Sequence, residues 1–220
     1  LKEKKIHKNL IIFDLDGTLI DSGRDLANSL NYTLEKQGIA PLSPDEIFSE
    51  VGNGVSMLVR RLLGTERDHL FRESLKIFIR HYEEHLLDNT SPYPGVSTTL
   101  KKHSGDFRFA LLTNKPLYLT EKILKDLNLD PFFEVTLGGD SAETKKPDPR
   151  GILNILEQTG TGAGDAVIVG DSINDVLAGR NAAVETVGVT YGLGSDDFRI
   201  HPPDHVIDTF PDLFELVHPV

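Results

Sequence analysis

Five short apolar runs punctuate this chain and constrain its fold more than any other feature: Leu10–Phe13, Phe109–Leu112, Val135–Leu137, Ala166–Val169 and Thr186–Val189. Each has the length of a strand buried on both faces, where no polar alternation is needed. Between the runs lie apolar residues at helical spacing: Val96/Leu100, Ile123/Leu124/Leu127, Ile152/Ile155/Leu156 and Val176/Leu177. Strand alternating with helix predicts an α/β fold, a parallel sheet with helices over both faces.

Residues 22 to about 90 break that rhythm. Leu26, Leu30 and Leu34 recur every four residues, and Gly38 marks a helix stop. Ser43-Pro44-Asp45-Glu46 has the form of a capping box with proline at the first helical position. Val55, Leu58, Val59 and Leu62 predict a third helix; Phe71, Leu75, Phe78, Tyr82 and Leu86 predict a longer fourth. Four helices without a strand predict a helical insert over 21–91, with 1–20 and 92–220 forming the α/β core. Pro92, Pro94 and Gly95 mark the return to the sheet.

Composition narrows the function. With 23 Lys+Arg against 34 Asp+Glu the net charge is −11, which argues against a nucleic-acid or anionic-membrane partner. Aromatic residues at 7% offer no stacking platform for bases. The absence of cysteine excludes disulfides, cysteine zinc sites and thiol nucleophiles. No apolar segment approaches the roughly 18 to 20 residues of a membrane helix. The apolar stretch after the basic start stops at Asp14, short of a signal-peptide core of about 7–15 residues, so a cytoplasmic location is expected.

Ligands of open α/β sheets bind beyond the carboxyl ends of the strands. The first run ends in Asp14-Leu15-Asp16-Gly17-Thr18, the second in Thr113-Asn114-Lys115, the fourth in Gly170-Asp171-Ser172, with Asn174 and Asp175 following. Lys145-Lys146-Pro147 lies just after the third. One acid at one strand end reads as a turn former or cap. Acids, a hydroxyl and a lysine at four strand ends point instead to a shared site. Asp14 and Asp16 stand about 6–7 Å apart along an extended strand, room for a reacting group between them. Crowded carboxylates raise one another's pKa unless a cation is present. A hard divalent ion, Mg²⁺, with oxygen ligands is the physical remedy, and it pairs with phosphate. Lys146 and the Thr113 hydroxyl suit the remaining phosphate oxygens, and phosphoryl transfer needs little beyond such positioning.

The segment Asp14-Leu15-Asp16-Gly17-Thr18-Leu19-Ile20-Asp21-Ser22 resembles the first motif of the haloacid-dehalogenase-like (HAD) phosphatases. Leu112–Lys115 is similar to the second motif, Lys146-Pro147 to the third and Gly170–Asp175 to the fourth. The resemblance implies a Rossmann-like core with a small inserted helical cap. It implies Asp14 as nucleophile forming an aspartyl-phosphate, and Asp16 as general acid and then base. Mg²⁺ would be held by the Asp14 carboxylate, the Asp16 carbonyl and Asp171, with Asp175 orienting metal-bound water or Lys146. Thr113, the Asn114 backbone and Lys146 would hold the transferring phosphoryl group, and Lys145 would be a solvated surface residue. Val51-Gly52-Asn53-Gly54, Gly138–Ser141 and Gly188–Gly192 resemble the phosphoglycolate phosphatase branch.

The implied reaction is hydrolysis of a small phosphate monoester, 2-phosphoglycolate foremost, by a monomer or homodimer. A sugar phosphomutase resembling β-phosphoglucomutase, or a pyrophosphatase, would use the same core. A phospho-acceptor or regulatory domain is the non-enzyme alternative, but a receiver domain needs no helical insert and has no counterpart of Asp16. The family's dehalogenases lack that acid, and its phosphonate hydrolases need a cap lysine, where residues 22–90 offer only Lys36 and Lys76. Gly52, Asn53, Gly54 and Arg60 are the expected selectivity residues, with Arg60 or Arg24 as a cation for a substrate carboxylate. Gly160–Gly164 precedes a strand and lacks the GxGxxG form, so it reads as a connection. His81 and His85, four apart, read as a helix face in the absence of a third ligand.

Overall fold

The computed structural model describes residues 5–141, 143–194 and 198–220. Six strands form one parallel sheet: β1 (Leu10–Phe13), β2 (Arg108–Leu112), β3 (Phe133–Leu137), β4 (Ala166–Gly170), β5 (Glu185–Val189) and β6 (His205–Ile207). Their spatial order is β3-β2-β1-β4-β5-β6, so the order reverses at β1, between β2 and β4. The α/β expectation holds.

The reason for the unbroken apolar runs is visible in β1. Ile11 and Phe13 enter one hydrophobic cluster, Leu10 and Ile12 the other, and all four are fully buried. On the first face lie α5 (Val96–His103), α6 (Leu117–Asp126) and α9 (Leu213–Leu216); on the second lie α7 (Arg150–Thr159) and α8 (Ile173–Asn181). Strand β6 has no counterpart in the sequence reading. Three residues at the sheet edge, with Val206 exposed, leave no apolar run to detect.

Between β1 and β2 the chain forms α1 (Gly23–Lys36), α2 (Pro44–Phe48), α3 (Val55–Leu63) and α4 (Phe71–Glu84). The capping box at α2 is present: Glu46 N–H donates to Ser43 Oγ, and Ser43 N–H donates to the Glu46 carboxylate at 2.8 Å. Gly38, at φ +69°, turns the chain after α1 while its N–H donates to Glu35 O. The strand pairs Ile20↔Pro92 and Asp21↔Ser91 set the outgoing and returning chain side by side. Leu26, Leu58, Phe78 and Tyr82 share one cluster with Phe13 and Val169, so helices and sheet are packed on one continuous core.

Asp25 on α1 secures that junction. Its carboxylate accepts from Asn89 N and Nδ2 and from Thr90 N and Oγ1, at 2.7–3.1 Å, while only 1% exposed. Burial opposes ionisation, but these donors hold its pKa below the ordinary carboxylate value.

Candidate active site

Asp14 follows β1 directly, its N–H donating to Val169 O at 2.9 Å, and this places its side chain at the point where strand order reverses. Gly17 then turns the chain at φ +82°. A Cβ there would fall 2.0 Å from Asp171 Oδ2, so only glycine lets the loop approach that carboxylate. Asp171 follows β4 directly, and its Oδ2 accepts from Leu193 N at 2.8 Å and Gly194 N at 3.0 Å.

Lys146 reaches between two acids, with Nζ 2.7 Å from Asp14 Oδ1 and 2.6 Å from Asp175 Oδ1. The other oxygen of Asp175 accepts from Ser172 N and Oγ, closing the capping box of α8. Asp175 is thus committed on both oxygens. Thr113 Oγ1 accepts the Lys115 N–H at 3.2 Å, which leaves the hydroxyl hydrogen to donate elsewhere. The Asn114 side chain is structural: Nδ2 donates to Lys146 O and to Gly52 O, and Oδ1 accepts from Lys146 N.

The structure therefore brings Asp14, Asp16, Thr113, Asn114, Lys146, Asp171 and Asp175 together from four strand ends. Gly52, Asn53 and Gly54 join them, because Asn174 Nδ2 donates to Gly52 O and Asn53 Oδ1 at 3.3 Å. Arg60 is not brought in. It pairs with Asp68 at 3.1 Å and lies over the Phe71 ring, and Arg24 is exposed on α1. Lys145 is exposed, yet its Nζ reaches over Gly54, where a Cβ would come within 2.9 Å of it. His81 stacks on Tyr32 and His85, and its Nδ1 meets Ser29 Oγ at 3.0 Å.

Lys115, the last residue of the Leu112–Lys115 segment, is central here although nothing in the sequence gives it a role. Its Nζ donates to Asp16 Oδ1 at 2.6 Å, Asp16 Oδ2 at 2.9 Å and Tyr82 Oη at 2.8 Å. Ser22 Oγ also donates to Asp16 Oδ1. The only sequence signal was position, two residues beyond a strand end; its partner on α4 is 33 residues away.

The electrostatics show which kind of group such a site would take. Burial pushes the Asp14 carboxyl up to about 7 despite Lys146, and Asp175 and Asp16 add to the rise. Asp171 is raised well above its ordinary value, first by burial, then by Asp14 and Asp175. Burial opposes the charge on Lys146 and Lys115, but their carboxylate neighbours more than offset it and raise both. Four carboxylates against two ammoniums leave a surplus of two negative charges when all ionise. Asp14, Asp171 and Asp175 each place an oxygen within 4.8 Å of the others. Oxygen donors of that spacing and surplus fit one hard divalent cation.

Fold and site together define an α/β protein with an acid-and-lysine centre at the strand carboxyl ends, roofed by inserted helices. The family profile described as haloacid dehalogenase-like hydrolase matches residues 11–189. The chain belongs to that family. It is 42% identical over 220 residues to the phosphoglycolate phosphatase of Psychrobacter arcticus, covering 96% of each chain. It is 39% identical to that of Agrobacterium fabrum, covering 94% of this chain and 92% of the relative. Among solved structures, a protein described as a predicted phosphoglycolate phosphatase from Haemophilus somnus superimposes with a TM-score of 0.88 at 30% identity, covering 94% of this chain and 97% of that one.

Proposed function

We propose that this chain is a Mg²⁺-dependent phosphatase that hydrolyses a small phosphate monoester, 2-phosphoglycolate foremost, to glycolate and phosphate. The observation that carries this reading is Asp14, buried at the topological switch point with Lys146 in contact with its carboxylate and an oxygen of Asp171 within 4.8 Å. The relatives named phosphoglycolate phosphatase support the choice of ester.

Asp14 Oδ attacks phosphorus, the ester oxygen departs, and an aspartyl-phosphate forms. Asp16 gives its proton to the departing oxygen and later takes one from the water that hydrolyses the intermediate. Thr113 Oγ1, backbone N–H groups at Asn114 and Lys146 Nζ hold the phosphoryl oxygens. The Asp14 and Asp171 carboxylates with the Asp16 carbonyl would hold Mg²⁺, whose charge offsets that of the phosphoryl group. Asp175, spent on Lys146 and Ser172, keeps Lys146 aimed.

The cavity over the site is walled by Asp14, Asp16, Leu26, Gly54, Leu58 and Lys115 and lies beneath the inserted helices. The inserted helices α1–α4 would act as a cap, swinging on the paired connections at 20–21 and 91–92 to admit and enclose the ester. Every group named lies on one chain, so a monomer suffices and a homodimer would duplicate the site. Among the described residues no helix is long and apolar enough to cross a membrane, which fits a cytoplasmic enzyme acting on a small metabolite.

Phosphate release from 2-phosphoglycolate, β-glucose-1-phosphate, pyrophosphate and p-nitrophenyl phosphate, with and without Mg²⁺, tests this. Preference for 2-phosphoglycolate with Mg²⁺ is expected. Release favouring another ester would overturn the substrate, and no release from any of them would overturn the reaction.

A further inference from the structure

We infer that Tyr82 on α4 and Lys115 beyond β2 form a clamp that positions the Asp16 carboxyl only while the helical roof is seated. The inference rests on the reading of Asp16 as the acid that protonates the departing oxygen.

Three donors of one buried ammonium meet three acceptors. Lys115 Nζ reaches both oxygens of Asp16 and the phenol oxygen of Tyr82, all within 2.6–2.9 Å, and its side chain is 3% exposed. Two of those acceptors belong to the strand-end loop after β1, and the third to the inserted helices. Tyr82 itself is fully buried and stacked on Phe78 at 5.5 Å, so its hydroxyl has no freedom to follow the lysine if α4 lifts. With α4 lifted, water takes the place of that acceptor, and the long, flexible lysine stem, no longer anchored to the roof, is free to turn away from Asp16. Among the described residues Asp16 then keeps only Ser22 Oγ, which touches one oxygen and cannot define the carboxyl plane.

The consequence is a site assembled by closure. With α4 seated, the carboxyl that must deliver a proton is held at both oxygens. With α4 raised, it is not, and the ester bond is not cleaved in open solvent. Lys115 and Tyr82 are positioning residues; the bonds made and broken remain Asp14 Oδ–P and P–O, with the proton passing from Asp16 to the departing oxygen.

The leaving group separates positioning of Asp16 from general damage. An alkyl ester such as 2-phosphoglycolate expels an alkoxide that needs the proton, whereas p-nitrophenyl phosphate expels a stable phenolate that does not. We would measure kcat/KM, which covers every step up to departure of the alcohol, for both esters in Tyr82→Phe and Lys115→Met. The expected result is a loss on 2-phosphoglycolate at least about tenfold greater than on p-nitrophenyl phosphate in each folded variant, in line with the size of acid catalysis. Smaller discrimination overturns the clamp, whether both esters lose together or neither loses. Should Lys115→Met fail to fold, Tyr82→Phe, which removes one oxygen and keeps the ring, decides alone. A wild-type protein inactive on both esters would instead overturn the phosphatase reading, and the clamp with it.

Discussion

Lys146 Nζ lies 2.7 Å from Asp14 Oδ1, and the two side chains are 2% and 6% exposed. A lysine from the loop after β3 and an aspartate from the end of β1 thus share a buried contact although 132 positions separate them. That one ammonium does not balance the acids around it, and the first predictions follow from the imbalance.

Asp14→Asn should remove turnover by more than about a thousandfold, the scale on which loss of a nucleophile is felt. It should not unfold the protein, because the amide replaces a carboxyl that burial already pushes up to about 7. Phosphate release and a thermal melt check both halves. Wild-type turnover would remove Asp14 from the mechanism.

The sign of the pH dependence follows from the same group. Its carboxyl titrates near 3.8 in the open chain and about 7 when folded, so the folded state binds the proton more tightly. Metal-free wild type should therefore lose stability relative to Asp14→Asn as pH rises from about 4 to about 7. Parallel urea midpoints for the two proteins across that window would be at odds with it.

Chelation should abolish turnover, and Mg²⁺ should restore it while raising the melting temperature of the wild type. Asp171→Asn should lose both responses, since Asp171 contributes one of three clustered carboxylates. A full Mg²⁺-dependent shift in melting temperature retained by Asp171→Asn would place the ion elsewhere.

Asp25→Ala should destabilise the fold by roughly 2–4 kcal/mol, because Asn89 and Thr90 donors lose a buried acceptor. The folded pKa of Asp25 is depressed, so its contribution is fully present above about 3.8 and fades as pH falls through the folded value. Denaturant unfolding at neutral and acid pH reads this. A variant as stable as wild type at neutral pH would contradict the role given to Asp25.

Gly54→Ala places a Cβ 3.0 Å from Asn114 O at φ +84°. Lys145 can move aside, but backbone cannot, and the backbone conformation at φ +84° and ψ 155°, which only glycine adopts readily, costs a side-chain-bearing residue about 1–3 kcal/mol. The roof should seat poorly, and kcat/KM should fall about tenfold. Unchanged kinetics would show that this loop tolerates displacement.

Much of the site was legible because the information is local. Asp14, Asp171 and Thr113 each end or follow an apolar run, and a parallel sheet sends all such ends to one edge. Asn114 was readable as a strand-end residue but not as the strut between Lys146 and Gly52, since that role depends on loops 32 and 62 residues distant. Arg60 shows the limit from the other side. Its charge and position on α3 suited a substrate carboxylate, but the rotation of that helix turns it to Asp68 and Phe71.

The sequence by itself determined the α/β class, four inserted helices and the acids of the centre, because strand burial, helical period and capping act over a few residues. Tertiary structure alone decided that Lys115 meets Asp16 and Tyr82, that Asp25 ties α1 to the returning chain, and that a sixth strand closes the sheet edge. Those contacts join residues whose separation is set by helix rotation and docking, and no short stretch of chain records either.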